Sequence, residues 1–166
     1  MDLIFKQAQQ SELQHIFLLL KSAALRLQNN NVNQWGFWLN PNEDKIKWIE
    51  EGLSNNEFFF IESKHTTIGM FRLSYKDLLY WGEQKDEANY IHSLVIKEEF
   101  SGSQIGKKVI DQIIKNSIKK GIYTLRLDCN ALNKKLCKYY ESQGFVKVGE
   151  IQMPHSLNTL FEKSLK

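Results

Sequence analysis

Hydrophobic positions in this chain recur at two spacings, and the changes between them predict seven strands and four helices. Leu13, Ile16 and Leu20 lie three to four residues apart, which is typical of one face of a helix. Short runs rich in aromatic and β-branched residues, bounded by polar ones, predict the strands. The predicted strands are Leu3–Ala8, Glu57–Ser63, Thr66–Tyr75, Ala88–Ile96, Tyr123–Cys129, Phe145–Ile151 and Thr159–Leu165, and the predicted helices are Ser11–Gln28, Asn40–Leu53, Gln104–Lys120 and Asn133–Gln143. The resulting order, β-α-α-β-β-β-α-β-α-β-β, indicates a mixed α/β (α+β) domain around one sheet.

The ends of these helices carry recognisable signals. Ser11 and Gln14 fit a capping box for the first helix, and Asn40 before Pro41 fits an N-cap for the second. Gly121 lies where the third helix needs left-handed backbone to end. The residues Lys64 and His65 separate two strands and predict a hairpin.

Composition limits the classes of function. The chain has 166 residues, 42% of them hydrophobic, which suits a single domain over residues 1–166 with its own core. A net charge of +3 is too small to argue for a nucleic-acid partner. Neither a signal peptide nor an apolar run of about 20 residues is evident, so we expect a cytoplasmic protein with no membrane partner. Cys129 and Cys137 form no Cys-x-x-Cys pair, and we expect reduced thiols and no metal.

The strand Ala88–Ile96 leads into a turn that contains Gly102 and Gly106 and opens a helix. The free N–H groups of a helix's first turn, together with its dipole, favour an anion such as a phosphate. Many strand-to-helix turns contain two glycines, so the turn by itself is a weak signal.

A second motif strengthens the first. Asn133 and Tyr140 are seven residues apart, share a helix face, and precede Gly144 and Phe145. Together the two segments resemble the GCN5-related N-acetyltransferase (GNAT) family, whose patterns are Gln/Arg-x-x-Gly-x-Gly/Ala and Asn-x-x-x-x-x-x-Tyr-x-x-x-Gly-Phe. Ser101 and Gln104 depart from the first pattern, and Gln104 leaves less room for a phosphate than the family's glycine.

The resemblance implies a mostly antiparallel sheet flanked by helices and acetyl-CoA as the acyl donor. It implies that backbone groups of the fourth strand bind the pantetheine arm and stabilise the acetyl oxygen, that the turn binds the phosphates, and that Asn133 binds the cofactor arm. Tyr140 would donate its hydroxyl proton to the leaving thiolate. The cofactor-binding residues implied are Leu94, Val95, Ile96, Ser101, Gly102, Ser103, Gln104, Ile105, Gly106, Lys107, Asn133 and Tyr140.

The acceptor side is less defined. His92 is the candidate general base, because an attacking amine must lose a proton and some arylalkylamine acetyltransferases have a histidine at the matching position. Glu83, Asp86 or Glu87 would bind a cationic amine. Trp35, Trp38 and Trp81 would wall the acceptor pocket, or else pack in the core or in a dimer contact. A cysteine nucleophile is an alternative to direct attack, although buried, inert thiols are the ordinary interpretation.

The sequence therefore predicts an N-acetyltransferase that moves an acetyl group from acetyl-CoA to a primary amine in a ternary complex. The acceptor is a small molecule or a peptide, and pairing as a homodimer is left open. The alternative is a non-catalytic domain of the same fold that binds acyl-CoA as a sensor. Retention of Asn133 and Tyr140 favours the enzyme, because a sensor needs no acid for a thiolate.

Overall fold

The computed structural model describes residues 2–102 and 104–166, and its element order is the one that the sequence predicts. The strands are β1 Ile4–Gln7, β2 Phe58–Ser63, β3 Thr66–Ser74, β4 Asn89–Ile96, β5 Thr124–Asn130, β6 Val146–Met153 and β7 Ser156–Ser164. The helices are α1 Leu13–Asn29, α2 Glu43–Ser54, α3 Ile105–Lys119 and α4 Lys134–Ser142, and short 3-10 turns cover Gln10–Glu12, Gly36–Trp38 and Glu98–Phe100. No helix in the described ranges has the length and apolarity that crossing a bilayer requires.

The strands follow the order β1-β2-β3-β4-β5-β7-β6 in a seven-stranded sheet. The pairs β1–β2, β2–β3, β5–β7 and β6–β7 are antiparallel, and β4 pairs with β5 in parallel. The mixed, mostly antiparallel sheet confirms the predicted fold class.

Two helix starts differ from the prediction. The capping interaction before α1 uses Gln9, whose backbone N–H donates to the Glu12 carboxylate at 2.8 Å, so the box predicted at Ser11 and Gln14 is wrong. The N-cap of α2 is Asn42, whose Oδ1 accepts from the Lys45 N–H at 3.1 Å, so the cap predicted at Asn40 is also wrong. In both cases two nearby polar residues could cap the helix. The backbone conformation before the helix determines which of them does so.

The remaining turn signals are confirmed. Lys64 and His65, with φ of 49° and 64°, form the two-residue loop between β2 and β3. Left-handed backbone at both positions matches the twist of a tight hairpin. Gly121, with φ of 78°, follows α3 as predicted.

The chain forms two compact units. The first comprises Met1–Leu73 and Ser93–Val109, and the second comprises Ser74–His92 and Ile110–Lys166. The core of the first unit joins α1 and α2 to β2 and β3 through residues such as Ile16, Leu20, Ile49, Phe58 and Met70. In the second unit the Tyr140 ring packs against those of Phe145 and Phe161, and Phe161 pairs with the buried Leu127 of β5. One domain over residues 1–166 stays a prediction.

Gly69 allows β3 and the end of β4 to approach closely within the first unit. A Cβ at this position would collide with the backbone carbonyl oxygen of Val95. Lys97 N donates to the Ile68 carbonyl at 2.9 Å, which fixes the same end of β4. This glycine therefore positions the strand segment for which the sequence predicts a role in cofactor binding.

Candidate active site

The extended backbone of β4 is interrupted at Ser93. β4 pairs with β5 over Asn89–Ile91, and Ser93 then takes a left-handed conformation with φ of 51°. A local break of this kind changes the direction of the backbone polar groups that follow it, and such breaks are common beside active sites. Leu94–Ile96, the segment predicted to bind pantetheine, comes directly after the break.

An arginine contacts that segment inside the first unit. Arg26 Nη1 donates a hydrogen bond to the Ile96 carbonyl at 3.0 Å. A cavity of about 20 Å³, room for about one water molecule, lies between α1 and this strand end. The Ile96 carbonyl has a second lone pair, so it can accept a hydrogen bond from a ligand beside the one from Arg26.

The turn after β4 contains a residue under conformational strain. Gln104 has φ of 57°, a left-handed conformation that residues with a Cβ adopt at a cost of roughly 1–2 kcal/mol. This is the position at which the family pattern has its first glycine. Glutamine in place of glycine at position 104 therefore strains the backbone and also leaves less room for a phosphate.

Other residues of the turn are placed as follows. Gly102 is exposed with φ of 84°, Ile105 is buried and anchors the start of α3, and Lys107 is exposed. Ser103 lies outside the described residues. The carbonyl of Gln104 accepts from Lys108 N at 3.1 Å, so the N–H groups before Lys108 are those of the helix's first turn, where an anion is favoured.

Tyr140 lies on α4 in the second unit, half-buried among aromatic rings. Its ring centroid is 5.9 Å from that of Phe145 and 6.1 Å from that of Phe161. Burial raises the pKa of its hydroxyl above the ordinary value, with further contributions from Cys129 and Tyr139. Tyr140 therefore keeps its proton at neutral pH and is available as a hydrogen-bond donor.

Asn133 begins the same helix. Its side-chain Oδ1 accepts from Leu136 N at 3.1 Å, so Asn133 is the N-cap of α4.

His92 lies in a cluster of polar side chains in the second unit. Its Nε2 is 3.2 Å from the Ser74 Oγ and 3.7 Å from the Asp77 Oδ2. One ligand atom each from Asp77, His92 and Asp128 lie within 4.8 Å of one another. These three residues, defined here as the His92 cluster, combine a candidate base with two carboxylates, which are also ligand types for a divalent cation.

Hydrogen bonds fix the two carboxylates. Asp77 is 8% exposed, and its Oδ1 accepts from the Tyr80 backbone N–H at 3.0 Å. Asp128 Oδ2 accepts from the Asn158 side chain at 2.6 Å. Burial raises the pKa of Asp128 to about 7, Asp77 raises it further, and the Asn158 bond opposes the shift. The charge of the cluster therefore changes near neutral pH.

Sequence reasoning missed both carboxylates. A signal for Asp128 exists, because Arg126 and Asp128 alternate with Leu125 and Leu127 and so lie together on one face of a buried strand. Asp77 lies in the segment after β3, and nothing in its local sequence distinguishes it from the other acidic residues there.

The three acidic residues predicted to bind a cationic amine are either ion-paired or exposed. Asp86 pairs with Arg126 at 2.9 Å, and this ion pair lowers the pKa of Asp86. Glu83 and Glu87 are exposed. The Arg126 guanidinium also lies 5.2 Å from the centroid of the Trp81 ring. These contacts give Asp86 and Trp81 structural partners.

The tryptophans between the first two helices contribute to packing. Trp38 is 3% exposed and belongs to the core of the first unit. Trp35 is half-buried against that core and has φ of 63°. Of the two, Trp35 retains surface for contact with a substrate.

The cysteines do not favour a role as the nucleophile that carries the acyl group. Cys129 is 3% exposed, and burial raises the pKa of its thiol, which disfavours the thiolate. Cys137 is half-buried, with its Sγ 3.6 Å from that of Cys129.

Comparison with known proteins defines the family. A model of the Acetyltransferase (GNAT) family matches residues 24–145. No curated protein matches the chain significantly.

Solved structures share the fold. A GNAT acetyltransferase from Listeria monocytogenes 4b F2365 is 23% identical, with a TM-score of 0.79 over 98% of this chain and 94% of that one. The PaiA N-acetyltransferase from Thermoplasma acidophilum, solved with coenzyme A, is 18% identical, with a TM-score of 0.65 over 99% of both chains. The aminoglycoside acetyltransferase AAC(6')-Ib, also solved with coenzyme A, is 15% identical, with a TM-score of 0.73 over 98% and 95%. The chain belongs to the GNAT family of acetyltransferases, which are enzymes.

Proposed function

We propose that this protein transfers an acetyl group from acetyl-CoA to a primary amine by direct attack in a ternary complex. The observation that carries the proposal is the break at Ser93 immediately before Leu94–Ile96, in a chain of this family. A strand that changes direction there has backbone groups to offer a pantetheine amide and the acetyl carbonyl.

The donor side is assigned to two groups of residues. Backbone groups of Leu94–Ile96 bind the pantetheine arm, and the turn at residues 101–106 with the first turn of α3 binds the pyrophosphate. Lys107 adds positive charge, and Asn133 donates its amide to the cofactor arm. Coenzyme A in the solved structures of PaiA and AAC(6')-Ib supports the choice of donor.

The chemistry requires three proton transfers, because the ammonium nitrogen loses two protons on its way to the amide, the second of them to water after the attack, and the leaving thiolate gains one. His92 accepts a proton from the ammonium group, directly or through water, so that the amine nitrogen attacks the acetyl carbonyl. A backbone N–H of β4 stabilises the oxyanion of the tetrahedral intermediate. The intermediate collapses and expels the thiolate, which Tyr140 protonates. Burial raises the pKa of the Tyr140 hydroxyl and so keeps it protonated, as a hydrogen-bond donor to the sulfur while the anion develops.

The acceptor that suits the His92 cluster is a cationic alkylamine. Such amines are protonated at neutral pH, and a cation that leaves water needs compensating negative charge. Asp77 supplies it beside the base, and Asp128 adds to it above about pH 7, where its carboxyl has lost its proton. AAC(6')-Ib has been solved with kanamycin and with ribostamycin. Because the carboxylates of the His92 cluster suit a cationic amine, we propose that the acceptor of this protein is a small-molecule amine.

Two adjacent tyrosines provide a test with a matched control. Tyr140→Phe should lower turnover about a hundredfold or more, because it removes the acid, and should leave acetyl-CoA affinity nearly unchanged. Tyr139→Phe removes a hydroxyl from the neighbouring position on α4 and should leave turnover close to that of the wild type.

The assay is thiol release from acetyl-CoA with a panel of alkylamines at saturating donor. Equal turnover of the two variants would remove Tyr140 from the mechanism. Acetyl-CoA binding without turnover on any amine would favour the non-catalytic sensor.

A further inference from the structure

Two thiols in the second unit lie in contact across β5 and α4. The Sγ atoms of Cys129 and Cys137 are 3.6 Å apart, and both cysteines are free. A disulfide has an S–S distance of about 2.05 Å, so roughly 1.5 Å of approach would close the bond. The helix start holds Cys137 in place, because its backbone N–H donates to the Asn133 carbonyl at 3.0 Å.

The two thiols differ in accessibility. Cys129 is buried, whereas Cys137 is half-buried and is therefore the thiol that a small oxidant in solution reaches first. Cys137 Sγ also lies 3.8 Å from the Asn130 carbonyl oxygen. A sulfenic acid formed at Cys137 would lie in contact with the Cys129 thiol, whose Sγ is 3.6 Å away in the reduced protein. A partly accessible thiol with a second one in contact is the arrangement of a redox-sensitive pair.

We propose that Cys129 and Cys137 form a reversible disulfide when the protein meets hydrogen peroxide. The Cys137 thiolate attacks a peroxide oxygen, the O–O bond breaks, and Cys137 becomes a sulfenic acid while the other oxygen leaves as water. The Cys129 thiol then attacks the oxidised sulfur and expels a second water. In total, two thiols are oxidised and one peroxide is reduced to two waters, and a dithiol reductant reverses the change.

The modification acts on the helix that carries the proposed acid, and this consequence rests on the proposed function. Cys137 and Tyr140 are three residues apart on α4 and share a face of that helix. Drawing Cys137 toward β5 shifts this face, and with it the Tyr140 ring between Phe145 and Phe161. We therefore expect the oxidised protein to turn over more slowly than the reduced protein.

The experiment treats the full chain with hydrogen peroxide and follows free thiols and intact mass. The expected result is loss of both thiols together, with a mass decrease of two hydrogens and full recovery after dithiothreitol. Cys129→Ser should stop at a sulfenic acid on Cys137 that dimedone traps. Cys137→Ser should leave Cys129 reduced under the same treatment, and circular dichroism checks that both variants fold.

Independent loss of the two thiols, or a sulfinic acid on Cys137 of the wild type, would overturn the disulfide. Thiol release with an alkylamine acceptor tests the consequence, since the treated wild type should lose turnover and the double serine variant should keep it. Equal turnover of the reduced and the disulfide-bonded protein would overturn the regulatory role. If the reduced protein shows no turnover, the proposed function fails, and the thiol and mass measurements still decide whether the disulfide forms.

Discussion

Asp128→Asn should change how the stability of this protein depends on pH. Burial raises the pKa of Asp128 from 3.8 to about 7 in the folded state. The native protein therefore binds this proton more tightly than the unfolded chain does. The resulting stabilisation is complete below pH 4, falls as the pH rises from about 4 to about 7, and is absent above that range.

The magnitude follows from the shift. About three pKa units at about 1.4 kcal/mol each give an upper bound of about 4 kcal/mol over the whole range, of which about 3 kcal/mol falls between pH 5 and pH 8. Asparagine does not titrate, so the Asp128→Asn variant does not lose this stability as the pH rises. Its free energy of unfolding, relative to that of the wild type, should therefore increase by about 3 kcal/mol between pH 5 and pH 8. The titratable groups around Asp128 are Asp77, His92, Tyr80, Cys129 and Tyr140, and their responses reduce the net value.

Urea denaturation followed by tryptophan fluorescence at pH 5, 6, 7 and 8 measures the difference. Glu51→Gln is the control, because it removes one carboxylate from an exposed helix position and should show a nearly constant difference from the wild type. A difference between Asp128→Asn and the wild type that stays constant from pH 5 to pH 8 would refute the argument that Asp128 is protonated near neutral pH.

Two glycine positions give further predictions. Gln104→Gly removes the left-handed strain of a residue with a Cβ, worth roughly 1–2 kcal/mol, against an entropic cost of about 0.5–1 kcal/mol for glycine. Stability measured by urea should therefore rise by up to about 1.5 kcal/mol, and acetyl-CoA should bind at least as tightly by calorimetry; weaker binding would contradict the comparison with the family pattern. Gly69→Ala should destabilise the protein by about 2 kcal/mol or more, because its Cβ meets the Val95 carbonyl, and a wild-type urea midpoint would show that β3 does not need this close approach.

The order of elements was predictable because each one carries a local signal. The apolar spacing of Leu13, Ile16 and Leu20 gave α1, and the polar pair Lys64-His65 gave the hairpin. The caps at Gln9 and Asn42 were missed, since Ser11 and Asn40 each offer a capping side chain two residues away. Local sequence determines that a cap exists more firmly than which residue provides it.

The candidate site was predictable where a motif is local. Asn133, Tyr140 and the turn after β4 lie in continuous segments, and the chain's membership of the GNAT family agrees with the resemblance that they carry. Asp77 and Asp128 were not predictable as partners of His92, because three separate segments bring them together. The same holds for the contact between Cys129 and Cys137, which depends on how α4 packs on β5.

The most direct test of the proposed function is a calorimetric titration of the purified protein with acetyl-CoA, with coenzyme A and ATP as comparisons. Our account predicts saturable one-to-one binding of acetyl-CoA, with ATP clearly weaker, because the pantetheine arm adds contacts with Leu94–Ile96 that ATP cannot make. No binding at millimolar acetyl-CoA would contradict the account. It would mean that Ser101 and the left-handed Gln104 have disabled the phosphate turn.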